Sequence, residues 1–298
     1  MILLDGTELG TEEEKERWAM KTKFRLNHRC FGSYEFGEKK LRSAEIEEVV
    51  VALDTLSFEE YLETRTFILT TSIFYVDDVI YELNNFLENL GIKPSQLILY
   101  IHNEGQRYFN PGLRNLYKSY NYITKNELWD DREVLESLVK STDKLSELTD
   151  KGIGTNVLIK HRAMALIDLM EDIINVAFSC AKDLIGPESV AMHDEYLREL
   201  EKFMVLRRLN IFNYTNTSSA CFNYDFNRQV NNEEGAEIPN RLDNPMEISF
   251  FNTDTQKGLM ESFEKSASGQ MRLMTRVHLP HLFRATKEIA QECSQALP

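Results

Sequence analysis

The stretch "TNVLIKHRAMALIDLMEDIINVAFSCAKDLI", Thr155 to Ile185, constrains this chain most. Leu158, Ala165, Leu169, Ile173, Ala177, Ala181 and Leu184 recur at helical spacing, so they form one apolar stripe, and Gly186 with Pro187 stops it. A helix of that length cannot bury its stripe alone, and the surrounding sequence has to cover it. Thirteen glycines and seven prolines in 298 residues leave little room for many-turn β architecture. The expectation is a mainly α protein with a small β component.

The β signals are local. "AEIEEVVVAL" shifts into a β-branched run at Val49 to Val51, which reads as a strand buried on both faces. Before it, "RCFGSYEFGEKKL" places Gly32 and Gly37 among aromatic residues, as in a small hairpin or irregular loop. Further on, "ACFNYDF" alternates so that Phe222, Tyr224 and Phe226 share one strand face, and "MEISFF" can pair with it across a long polar loop.

Helix starts are marked as clearly. Thr11 with Glu14 and Ser57 with Glu60 have capping-box spacing, the first opening a short helix to about Lys23. After Ser57, the residues Phe58, Tyr61, Leu62, Arg65, Ile68 and Leu69 fall on one face, and Arg65 is charged within that seam. Its guanidinium needs an acceptor, either a nearby acid such as Glu47 or Glu48 or the carboxylate or phosphate of a ligand. Helices follow toward Gly91, from Pro94, through "NPGLRNLYKSYNYI" and "DDREVLESLVKSTDKLSELTD", and again in "TDTQKGLMESFEKSASG" and "RLMTRVHLPHLFRATKEIAQEC".

Composition narrows the function classes. Forty-eight acidic against 34 basic residues give a formal charge of −14, which repels a phosphate backbone or an anionic bilayer, so no nucleic acid and no membrane is expected as partner. No apolar run approaches the roughly 18 residues of a membrane span, and "MILLDGTELG" lacks a basic start and a small-residue cleavage site. The expectation is a soluble, cytoplasmic chain. Cys30, Cys180, Cys221 and Cys293 lie too far apart in sequence for a local metal knuckle and read as reduced, mostly buried thiols.

Catalytic motifs are missing. Gly152 and Gly154 in "KGIGTNVL" lack the preceding strand and third glycine of a dinucleotide fingerprint, and read as an inter-helix turn capped by Thr155 or Asn156. His278 and His281 flank Pro280, which breaks the helical face that would aim both at one metal. His161, between Lys160 and Arg162, reads as part of a solvated helix face. No G-x-S-x-G, H-E-x-x-H or G-x-x-x-x-G-K-[ST] occurs.

One resemblance goes further. "EIEEVVVALDTLSFEEYLETR" resembles a segment of cobalamin-binding radical SAM proteins lying just after their catalytic barrel. "LLDGTEL", "RCFGSYEF", "IFYVDDVIYEL", "GTNVLIKHRAMAL" and "TRVHLPHLFR" are similar to further pieces of the same proteins, in collinear order over nearly the whole chain. The resemblance implies the remnant of the end of a radical SAM α/β barrel with its exit strand over residues 1–54, a helical C-terminal domain over 55–210 and a small α+β closing segment over 211–298. It implies that Gly6, Thr7 and Glu8 lie nearest the S-adenosylmethionine pocket, with Asp5 where the family usually has proline, and that Arg29, Tyr34 and Arg65 face the substrate side.

In that family a Cys-x3-Cys-x2-Cys loop holds an iron–sulfur cluster that cleaves S-adenosylmethionine to a carbon radical, and cobalamin often carries a methyl group. This chain has neither that loop nor a cobalamin domain, so no cofactor is expected in it alone, and Met1 is expected to be an internal methionine of a longer frame. The expected partner is the missing N-terminal catalytic portion or a catalytic subunit in trans. A stand-alone helical interaction or ligand-binding module, and one subunit of a split enzyme, are the alternatives.

Overall fold

The computed structural model describes residues 1–4, 6–151, 153–209, 211–231, 238–263, 273–274 and 277–289, with the side chains of 29–35, 39–43, 142, 146, 149–150, 229 and 231 outside the description. The chain is mainly helical with two small antiparallel sheets. It divides into two compact units, residues 1–69 with 115–161 and residues 70–114 with 162–298. No described helix is long and apolar enough to cross a membrane.

In the first unit, β1 (Ile2–Leu3), β2 (Lys21–Phe36) and β3 (Lys39–Ala52) make a sheet in the order β1-β3-β2, antiparallel throughout. The hairpin expected around Gly37 is present and much longer than "RCFGSYEFGEKKL" suggested. Gly37 takes φ 59 in the turn between the paired Phe36 and Lys39, a left-handed geometry that suits a residue without Cβ. Val49, Val50, Val51 and Ala52 are buried, as expected of a strand covered on both faces. The first helix, α1 (Glu12–Arg17), stops six residues short of Lys23, because Ala19 turns to φ 48 and β2 begins at Lys21.

Residues 1–54, expected as a barrel end, therefore contain the antiparallel sheet. Barrel strands run parallel with helices between them, and no parallel pair occurs among the described strands. The helices α2 (Phe58–Phe74), α5 (Pro111–Asn126), α6 (Arg132–Val139), α7 (Thr142–Asp150) and α8 (Val157–Asp168) follow, α2 and α5 and α8 contributing residues to both units. Leu26 of the hairpin, Leu135, Leu145 and Ile153 form one apolar cluster, fringed by Phe24 and Trp129. Trp129 extends the sheet by exchanging two backbone hydrogen bonds of 2.8 Å with Phe24. The Ser57–Glu60 capping box is made in both directions, at 2.7 and 3.2 Å.

In the second unit, α3 (Tyr81–Asn89) and α4 (Pro94–Glu104) pack on α9 (Met170–Arg208). The helix expected from Thr155 to Ile185 is divided: Asn156 caps α8, and Leu169 (φ −129, ψ 22) separates α8 from α9. Leu169 sits so close to Gly112 that a Cβ on that glycine would meet its Cδ2 at 2.7 Å, a non-local contact invisible in the helical pattern. Gly186 (φ 77, ψ 165) interrupts α9 where the sequence placed a stop.

The second sheet pairs β4 (Ser218–Tyr224), β5 (Arg241–Phe251) and β6 (Ala285–Ile289) in that order. The long-looped hairpin is as expected, with Phe222 opposite Met246. Phe226, however, opens a short helix, α10 (Phe226–Asn231), and still reaches the same aromatic cluster as Phe222. α11 (Asp254–Phe263) follows β5 as a helix, as expected. Of the helix expected over "RLMTRVHLPHLFRATKEIAQEC", Leu273 and Met274 are helical, but Leu279–Leu282 form a 3-10 turn followed by β6, since Pro280 removes a helical donor and β5 offers a free edge, and the last residues lie outside the described ones.

Candidate functional site

The sequence-named residues do not converge. Gly6 stands at φ 80 in an exposed turn, with nothing within 4 Å of where its Cβ would be. Thr7 turns its hydroxyl back to donate to the Leu4 carbonyl at 2.7 Å, and Glu8 is exposed at the start of a 3-10 turn. Arg29 and Tyr34 lie on β2, Tyr34 opposite Leu41, and their side chains fall outside the described residues. Arg65 alone enters a polar assembly.

That assembly belongs to the first unit and draws on β2, β3, α2 and α5. Arg25 donates from Nε to Glu47 Oε1 at 2.7 Å and from Nη1 to Glu127 Oε1 at 3.2 Å. Arg65 Nη2 stands 3.8 Å from the same Glu127 oxygen, and its Nε is buried without a hydrogen-bond partner. The acid expected beside Arg65 is thus Glu127, at the end of α5, rather than Glu47 or Glu48. Those two are taken by Arg25 and by Lys15. Period and composition can mark a charge inside an apolar seam, but only the chain's return through α5 decides which acid meets it.

The electrostatics follow from burial and from two arginines sharing one acid. Burial pushes the Glu127 carboxyl above its usual range, against the pull of Arg25 and Arg65. Arg25, itself desolvated, is held above its ordinary value by Glu127 and Glu47. Burial likewise raises the Tyr61 and Tyr120 hydroxyls, and the Tyr120 hydroxyl donates to the Arg65 carbonyl at 3.1 Å. Among the described residues, no nucleophile joins this group. What it offers is an arginine that keeps 21% of its side chain exposed beside a shared acid.

His161 departs from its reading as a solvated residue. It is buried, its ring meets Tyr120 edge-on, and Nδ1 lies 2.8 Å from the Val157 carbonyl and so carries the proton. Nε2 is then left to accept from the Ser119 hydroxyl at 3.1 Å. Burial lowers its pKa below 6.5, because the folded site disfavours the imidazolium. In the acid range the unfolded chain binds a proton that the fold refuses. The stability tied to His161 is therefore complete above pH 6.5 and is lost as pH falls through the lowered native value. Urea titrations across this window should show a slope that His161→Phe flattens; equal slopes in both proteins would refute the assignment.

The second unit holds a tighter centre that the sequence reading passed over. Glu82 on α3 is fully buried and pairs with both Arg207, at 2.8 Å, and Arg208. Burial pushes its carboxyl up, but the two guanidiniums outweigh that and hold it below the usual range. Arg208 continues the stripe of Leu197, Leu200 and Met204, so the reasoning that singled out Arg65 also applies to it. Asp77 and Asp78 both take positive φ, 61 and 55, and Asp77 accepts from Arg162 Nη2 at 2.6 Å. Such a left-handed pair of non-glycine residues persists because tertiary contacts hold it.

Among the described residues, the cysteines do not offer the thiolates of an iron–sulfur cluster. Burial pushes the Cys180 thiol up to about 12, the reverse of a ligating thiolate. Cys221 is disulfide-bonded, which corrects the expectation of four reduced thiols. Sequence separation does not restrict which cysteines a fold brings together. His278 and His281 face each other at 5.4 Å, and no group of three metal-ligating side chains occurs among the described residues. No protein-family model matches the chain, and no curated protein matches it.

Proposed function

We propose that the chain is the substrate-side helical region, C-terminal to the catalytic core, of a cobalamin-dependent radical SAM enzyme, and that it works only against a catalytic portion carried elsewhere. The observation that carries this reading is the apolar surface at the start of the chain. Met1, Ile2, Leu4, Leu9 and Trp18 are each at least 45% exposed, although this segment adjoins the buried run Val49 to Ala52. β1 covers only the end of β3, pairing with Glu48 and Val49, so residues 39–47 have no strand on that edge among the described residues. Exposed apolar side chains beside an open strand edge suit a partner chain.

On this reading S-adenosylmethionine, the iron–sulfur cluster and cobalamin belong to the catalytic portion, where they supply a carbon radical and a transferable methyl group. The contribution of this chain is to bind and orient, with Arg65, whose side chain keeps 21% exposure, holding an anionic group of the substrate and Arg25 and Glu127 fixing its position. The collinear sequence resemblance and the run of helices from Phe58 to Arg208 support the reading. The antiparallel sheet in place of parallel barrel strands favours the second reading, a stand-alone helical binding module.

The test is to co-express the chain with the polypeptide encoded in frame upstream, or by a neighbouring frame, that carries Cys-x3-Cys-x2-Cys. A stable complex that Leu4→Lys and Trp18→Lys abolish, with circular dichroism unchanged, is the expected result. A locus without such a polypeptide, or a chain that stays monomeric and ignores it, overturns the proposal in favour of the stand-alone module. An upstream frame and a neighbouring frame separate the fused from the split enzyme.

A further inference from the structure

The outer face of the second sheet carries a cavity that the proposed function does not use. Ile248 and Phe250 of β5 are fully buried, so alternation sends Ser249 and Phe251 to the opposite face. Lys287 of β6 lies across from Ser249 and shares its face, as does Ile289 two residues on. These four side a cavity of about 570 Å³, completed by Thr217 just ahead of β4 and by Lys257 near the start of α11. Its size falls within the roughly 300–1,000 Å³ of small-molecule sites.

The lining divides by chemistry. Phe251 and Ile289 are half-buried and offer apolar contact, Ser249 and Thr217 bring hydroxyls, and the two lysines bring charge. Lys287 is exposed and has no ion pair among the described residues. Lys257, with 41% of its side chain exposed, has one loose contact, 3.6 Å to Asp254, whose own side chain is fully exposed, so water screens the pair. Glu288 also borders the cavity, but it lies opposite Ile248 in the ladder and leaves β6 on the other face. Both ammoniums stand on flexible four-carbon stems open to solvent, so both reach an anion in the cavity they share.

In a chain of 48 acidic and 34 basic residues, two cations without a close acid are a local exception. The net charge of −14 repels a polyphosphate backbone, so the pair suits a single anionic group on a small molecule. A phosphate monoester matches it better than a carboxylate. It carries up to about two negative charges for two ammoniums, and its three terminal oxygens accept from the hydroxyls of Ser249 and Thr217 as well. Phe251 and Ile289 are left for the organic body.

We propose that this cavity binds a small organic phosphate monoester, its phosphate on Lys257 and Lys287 and its apolar body on Phe251 and Ile289. The site is independent of the radical SAM reading and survives its failure. Ligand-observed NMR titration of the full chain with phenyl phosphate tests it, with inorganic phosphate and phenol as its two halves. Saturable binding of phenyl phosphate is expected, and about 10-fold weaker binding of each half, since one gives up the apolar contact and the other the charge. Lys257→Met and Lys287→Met alter side chains that reach solvent, where they leave the fold intact. Each should weaken phenyl phosphate binding about twofold to fivefold, the range for an exposed charge, and leave phenol unaffected. No saturable binding of phenyl phosphate, inorganic phosphate binding as tightly as the ester, or lysine variants without effect would each overturn the proposal.

Discussion

Replacing Glu82 with alanine should destabilise the protein by about 3–5 kcal/mol, the cost of leaving buried charge unpaired. Arg207 and Arg208 both depend on that carboxylate, whose side chain is 1% exposed, and Arg208 has no water to turn to. The same logic predicts recovery: Glu82→Leu combined with Arg208→Met removes the two fully buried charges, leaves Arg207, whose side chain is 19% exposed, to solvent, and should regain most of the loss, because matched apolar residues fill the space without desolvation. Urea midpoints for the single and double variants decide the matter. If the double variant is as unstable as the single, packing around α3 and α9 rather than charge is responsible. The ion pair also has a pH signature. The Glu82 carboxyl is depressed, so its contribution is present above its ordinary 4.5 and is lost as pH falls through the native value, a slope that Glu82→Gln should remove.

Phe203→Ala should cost a similar amount, about 3–5 kcal/mol, by opening a cavity in the aromatic core of the second unit. Phe203 is fully buried, with ring centroids of Phe222, Phe226 and Phe250 at 5.8, 5.1 and 5.4 Å. Its removal takes away three ring contacts as well as buried area, and pairs of this kind contribute about 0.5–1.5 kcal/mol each beyond area. Phe203→Leu keeps most of the volume but loses the same ring contacts, so it should cost less than Phe203→Ala, about 2 kcal/mol. Tyr122→Ala, at a residue 67% exposed, should change stability by less than about 0.5 kcal/mol. Thermal or urea unfolding of the three variants reads this order, and a Phe203→Ala loss near that of Tyr122→Ala would show the cluster to be loosely packed.

Parts of this architecture were legible because their causes are local. Ser57 and Glu60 satisfy each other's backbone amides whatever surrounds them, and Gly186 tolerates a φ that ends a helix. Val49 to Ala52 had to be buried, since a β-branched run is costly in water. The pairing of "ACFNYDF" with "MEISFF" followed from alternation on both sides of a polar loop.

Other parts depend on residues distant in sequence. Leu169 breaks the long helix where it meets Gly112, and no helical pattern contains that contact. His161 stands between two basic residues, which suggests solvent, but Ser119 and Tyr120 of α5 enclose it. Ala285–Ile289 form a strand because β5 presents an edge, where pattern alone read a helix.

The sequence by itself determined the helical character of the chain, its principal stops and starts, and the presence of charges within apolar seams, because caps, period and burial cost act within a few residues. Which acid neutralises which arginine was decided only by tertiary structure: Glu127 for Arg65, and Glu82 shared between Arg207 and Arg208. The physical reason is that an ion pair forms between whichever opposite charges the packing desolvates together, and in both units those partners come from helices far apart in the sequence.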